Sequence, residues 1–226
     1  MADLPRDWPR LLSAAFGLAV AVLLCVAFAG QGADMFLDAV LASVDGGIVS
    51  ASDVAIARAL SLFGARPSDA PIRQEDAEQL VDSRLIAQEA IQLAIGGTQQ
   101  EEEEAWRAAA ERVGGMPGLR AWMDRNGLAE TWIKKMVEAD LRWRRFIDLR
   151  FRSFVFISDA DLTQALGSGT PSAQDREQAR ERLRADAISR DVAEWLTEAR
   201  KRASVRYAEL SERGIPLPFP MPPARP

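Results

Sequence analysis

Residues 11–29, LLSAAFGLAVAVLLCVAFA, carry no charge. A run that apolar has no polar face to offer water, so it belongs to a bilayer or to a targeting signal. The roughly 200 residues that follow must then build their own core, enough for one ordinary domain. The run is longer than a signal-peptide core, about 7–15 residues, and close to the about 20 residues that span a bilayer. Its length favours an uncleaved anchor. Ala27 and Ala29 supply the small residues of a cleavage site, so a cleaved signal peptide stays open as a second reading. Leu24 before Cys25 is too large for a lipoprotein signal. Arg6 and Arg10 precede the run, which leaves residues 1–10 in the cytoplasm and the rest outside it. A buried core helix is disfavoured because Gly30-Gln31-Gly32 follows at once.

The side chains present narrow the chemistry further. There is no His, which removes the commonest general base and the commonest metal ligand. The single Cys is Cys25, inside the apolar run, so the later part has neither a disulfide nor a thiol nucleophile. The 28 basic and 33 acidic residues include two of each before residue 11, so the net charge of −5 belongs to the later part. A mildly acidic domain is a poor partner for nucleic acid, which is held by phosphate neutralisation. No cofactor or metal is expected. Glu101 to Glu104 read as helix-dipole complements, because consecutive helical residues point in different directions rather than converging on an ion.

After a linker at 30–36, residues 37–50 read as a β-hairpin. Val40, Ala42 and Val44 alternate, and Asp45-Gly46-Gly47 supplies turn residues. Ser50 caps a helix expected to reach Phe63. A helix over 73–95 carries an apolar stripe of Ala77, Leu80, Val81, Leu85, Ile86, Ala90 and Leu93. Thr98 starts the next helix and Gly114-Gly115 ends it. Helices follow over 117–125, 129–152 and 159–166. Arg142, Arg144, Arg145, Arg150 and Arg152 lie near the C-terminal end of the longest of these, as the dipole favours. Phe154-Val155-Phe156-Ile157 reads as a short extended run. Residues 167–173 are a linker, 174–202 a polar helix and 203–208 a terminal strand. Six prolines among the last eleven residues make 209–226 an extended, disordered tail.

The order of these elements resembles the N-terminal chaperone module of the SurA/PpiD/PrsA group of exported foldases. Five stretches carry the likeness: residues 44–53, VDGGIVSASD; residues 80–90, LVDSRLIAQEA; the Asn126-Gly127-Leu128 break with helix 132–145; residues 155–159, VFISD; and Val192, Trp195, Leu196, Ala199 and Arg200 before the last strand. It covers residues 38–165 and 185–208. The resemblance implies a mainly α fold, a helical chaperone domain at 37–166. It also implies a C-terminal helix and strand, 174–208, that return to complete the hairpin. In that group a parvulin isomerase domain precedes the final helix. Here the 167–173 linker stands in its place, so no isomerase chemistry is carried over and no catalytic residue is expected.

The expected activity is ATP-independent binding of unfolded or assembling envelope polypeptides, at the inner membrane or in the periplasm. Trp106, Met116, Trp122, Met123, Trp132, Met136 and Trp143 are the candidate client-binding residues, since Met and flat aromatics suit promiscuous apolar recognition. Core packing accounts for the same pattern and is the competing reading. Two further activities fit the same chain: a degenerate prolyl isomerase, and a dedicated assembly factor for one membrane partner.

Overall fold

Asp45 and Gly46 both adopt positive φ, 48° and 83°, and turn β1 (Val40–Val44) back into β2 (Gly47–Ser50). Such a turn matches the right-handed strand twist. The computed structural model describes residues 38–167 and 171–222, which belong to one compact unit. The expected anchor or signal at 11–29, the linker at 30–36, part of the 167–173 linker and the last four residues lie outside the described residues.

The strict alternation expected of β1 is broken. The β1–β2 register shifts between Val40 and Ala42, so the bulge buries Leu41 and Ala42 together and leaves Val40 half exposed. The third strand, β3 (Val205–Tyr207), pairs antiparallel with the other edge of β1, giving the order β2-β1-β3. Asp45 clamps this closure: its N–H donates to the Ser204 carbonyl at 3.0 Å, and its carboxylate accepts from the Ser204 N–H at 2.8 Å.

Seven α-helices, with two 3-10 turns, carry most of the remaining described residues. Ser50 starts α1 (Ala51–Ala59) with a reciprocal cap. Its hydroxyl accepts from the Asp53 N–H, and the Asp53 carboxylate accepts from the Ser50 N–H. Every residue of α1 is buried. Its one cation, Arg58, is satisfied by the Ala70 carbonyl at 2.6 Å and by Asp76 at 2.7 Å, which draws the 64–71 loop onto the helix.

The helix stops four residues earlier than its sequence predicts. Ser61 and Phe63 take left-handed φ values of 46° and 55°. The cause is distant in sequence. Asp140 accepts from the Phe63 N–H at 2.6 Å, and Gln79 donates to the Phe63 carbonyl at 2.9 Å.

The remaining helices are α2 (Gln74–Gln92), α3 (Gln99–Glu111), α4 (Gly115–Asn126), α5 (Glu130–Arg150), α6 (Asp159–Leu166) and α7 (Ala173–Arg202). Their bounds follow the expected stops and caps to within a few residues. Helix α2 ends at Gln92, and Leu93, placed on its apolar stripe, is exposed. Helices α2 and α5 form the main helix pair. One apolar cluster joins them to the sheet, α1, α3 and α4. A second gathers Ile86 and Ala90 of α2, Phe146 of α5, Phe151 and Ile188 of α7. Arg200 of α7 grips Asp82 of α2 through two nitrogens, both at 2.8 Å, and brings β3 to β1. Four of the five clustered arginines pair with acids: Arg142 with Glu138, Arg144 with Asp140, Arg152 with Asp148, and Arg145 with Glu101.

The tail departs most from what its sequence predicts. Residues 209–222 pack on the domain rather than trailing from it. Ile72 and Ile215 exchange backbone hydrogen bonds of 2.7 and 3.0 Å, and Phe219 is buried against Trp122. The prolines alternate with Ile215, Leu217, Phe219 and Met221, and these apolar side chains supply the contacts that a purely polar tail would lack. Among the described residues no helix is long and apolar enough to cross a membrane.

Candidate functional site

Two features stand out: a cavity above α1 and an exposed apolar segment after α5. The cavity, about 280 Å³, lies between α2 and α5 and is walled by Phe63, Leu80, Ala87, Met136 and Ala139. Asp53 lies among its lining residues. The Asp53 carboxylate accepts from the Ser50 N–H at 3.0 Å, from Arg84 at 3.1 Å and from the Trp132 indole N–H at 3.2 Å. Burial pushes the Asp53 carboxyl above its ordinary value, while the Ser50 N–H, Arg84 and Trp132 hold it partly back. Lys135 joins Arg84 among the lining side chains. The Ser83 hydroxyl donates to the Gln79 carbonyl. The cavity brings together one carboxylate and two cations, a set suited to holding a group rather than to acid-base exchange between paired carboxyls. Among the described residues no cluster of three or more acids is placed to hold a metal ion.

The seven sequence candidates separate. Trp122, Met123 and Met136 are buried in the main cluster, so packing accounts for them, although Met136 also walls the cavity. Trp132 is half-buried at the cavity, bound to Asp53. Trp143 meets the edge of Phe63 at 6.4 Å between ring centroids. Trp106 lies beneath the Lys134 ammonium, and Met116 packs half-buried on the main cluster. The seven do not form one surface: they divide among the core, the cavity and the α3 to α5 side.

The larger apolar exposure lies elsewhere. Helix α5 ends in a short 3-10 turn, Arg152–Phe154, and the chain runs on without secondary structure to the Ser158 cap of α6. Phe154 is 80% exposed and Phe156 86%, and Leu149 one turn earlier is also exposed. The backbone groups of Phe156 and Ile157 have no hydrogen-bond partner among the described residues. Phe151 anchors the segment from below, its ring 5.9 Å from Phe146 in the second cluster. The sequence predicts an extended run here but assigns it no role. The available signal is two phenylalanines one residue apart, in a run too short to form a core strand and with no neighbouring strand to pair with.

No protein-family model matches the chain, and no curated protein matches it.

Proposed function

We propose that this chain is an ATP-independent chaperone of the cell envelope, a SurA-like helical module tethered or exported through residues 11–29. Its client surface is the apolar segment around Phe154 and Phe156. The exposure of those two rings is the observation that carries the reading. A phenylalanine left in water forgoes about 1.5–3 kcal/mol of burial. Two such rings lie two positions apart on one short segment, and Leu149 before them is exposed as well, a local concentration of apolar side chains in water. The free backbone groups of Phe156 and Ile157 add a second handle, since an extended client can pair with an unpaired chain. The hairpin closed by a returning C-terminal strand is the arrangement that the resemblance implies, and it supports the same reading.

The test is dilution of a denaturant-unfolded outer-membrane β-barrel polypeptide into buffer without nucleotide, followed by light scattering. The chain beginning near Gly30, in stoichiometric excess, suppresses aggregation. The Phe154→Ser/Phe156→Ser variant loses most of that suppression while keeping its unfolding midpoint. No suppression by the parent, together with no affinity for apolar peptides, refutes the proposal. Suppression confined to one membrane protein among several would instead mark a dedicated assembly factor.

A further inference from the structure

The Trp122 face of the molecule is covered by a segment with the chemistry of a ligand. Residues 215–222, Ile-Pro-Leu-Pro-Phe-Pro-Met-Pro, alternate proline with an apolar side chain. The segment enters through the reciprocal Ile72–Ile215 bridge. That approach is close: Gly214 has φ +71°, and a Cβ there would sit 2.5 Å from the Ile72 carbonyl oxygen. Beyond it, Phe219 sets its ring edge-on to the Trp122 indole at 5.5 Å between centroids and is only 6% exposed. The indole N–H of Trp122 donates to the Pro220 carbonyl at 3.2 Å. Leu217 and Met221 pack partly buried on the same cluster.

An aromatic wall whose N–H takes a proline carbonyl, beside a slot for one large apolar side chain, is how grooves for proline-rich peptides are built. Such segments are stiff before they bind, so little chain entropy is lost on docking. The same composition makes the segment separable from the fold. Four of its eight residues have no N–H to donate, and beyond the single bridge at Ile215 none of it lies in a helix or a strand. Segments of that kind open locally well before the global fold does.

We propose that the Trp122 face is a binding groove for proline-interleaved apolar peptides bearing an aromatic residue, and that residues 215–222 occupy it in cis and yield it to a competing segment of the same chemistry. The groove lies on α4 and the Ile72 loop. The Phe154–Phe156 segment is a separate surface, so the groove stands or falls independently of the chaperone reading.

The test uses the full chain and a fluorescein-labelled peptide with the sequence of residues 214–222, read by anisotropy. Phe219→Ala empties the slot, and that variant binds the peptide at least tenfold more tightly than the parent does. A peptide with its phenylalanine changed to alanine does not bind, and adding Trp122→Phe, which keeps a ring but removes the N–H, cancels the gain. A Phe219→Ala protein with parental helix content and no gain in affinity overturns the proposal. Where Phe219→Ala does not fold, hydrogen exchange on the parent decides. The hydrogen-bonded reporters of the segment, the Trp122 indole N–H and the Ile215 amide, exchange at least a hundredfold faster than the amides of Val81 and Ile133. Exchange at one common rate overturns the proposal by making the segment an inseparable part of the core.

Discussion

Asp140→Ala tests whether one buried carboxylate holds the left-handed corner that walls the cavity. Asp140 is 3% exposed on α5; one oxygen accepts from the Phe63 N–H at 2.6 Å and the other from Arg144 at 2.9 Å. Alanine removes both contacts. The buried Phe63 N–H then goes unpaired, at a cost of about 1–3 kcal/mol. Arg144 is half exposed, so after solvent screening its lost partner adds at most about 0.5 kcal/mol. Alanine returns up to about 0.7 kcal/mol in helix propensity. The net expectation is a loss of about 1–3 kcal/mol. Asp140→Asn keeps an acceptor oxygen for Phe63 but turns an NH2 toward Arg144, so it loses the screened Arg144 contact alone, about 0.5–1 kcal/mol. Urea unfolding followed by far-ultraviolet circular dichroism measures both, with m expected to stay constant. A left-handed phenylalanine strains the backbone by about 1–2 kcal/mol, so once released, residues 61–64 should relax and their amides should exchange faster. If the alanine and asparagine variants unfold within about 0.3 kcal/mol of each other, with unchanged exchange at 61–64, then Asp140 does not hold the corner.

Asp53→Asn should alter the pH dependence of stability in a defined direction. Burial raises the Asp53 carboxyl, so the folded state keeps its proton longer than the unfolded chain does. That contribution to stability is complete below the unfolded value of about 4 and is lost as pH rises through the raised folded value. The parent's advantage over the asparagine variant should therefore shrink across that window; an advantage that grows would mean the Arg84 and Trp132 contacts outweigh burial. Phe146→Ala removes a fully buried ring packed at 5.1 Å on Trp195 and 5.9 Å on Phe151, and should cost about 3–5 kcal/mol in denaturant unfolding. A cost under about 1.5 kcal/mol would mean the second cluster repacks around the gap. Ser158→Ala removes the side-chain cap of α6 and should cost about 1 kcal/mol, read as faster amide exchange confined to 159–166; unchanged exchange there would show the cap to be redundant.

What is legible in the sequence is what local chemistry decides. Asp45-Gly46 demands a hairpin turn, and the capping hydroxyls of Ser50, Thr98 and Ser158 each take an N–H three residues on, as Ser172, read within a linker, also does. The terminal strand is legible as well, from Val205 and Tyr207 after the last helix, whereas its return to β1 is what the resemblance implies. What escapes depends on partners far along the chain. Nothing near Phe63 announces that Asp140, 77 residues later, will pull it into the left-handed region. Nothing in a proline-rich run announces that Trp122 will take its phenylalanine, because composition reports an extended backbone and says nothing about whether a groove awaits it. The candidate site escapes in the same way. Trp and Met content points at residues 106–143, whereas exposure, which no single-residue property encodes, singles out Phe154 and Phe156.

The two proposed binding surfaces share a physical cause. The sheet, α1 and the α2–α5 pair are held by ladders, helical bonds and buried ion pairs such as Arg58–Asp76, and they form the stable frame. The segment after α5 and residues 216–222, beyond the Ile72–Ile215 bridge, carry large apolar side chains on backbone outside that hydrogen-bonded framework. One segment leaves its rings in water and the other parks its ring on Trp122. Both can exchange their present surroundings for a partner without breaking the frame, since little cooperative structure depends on them.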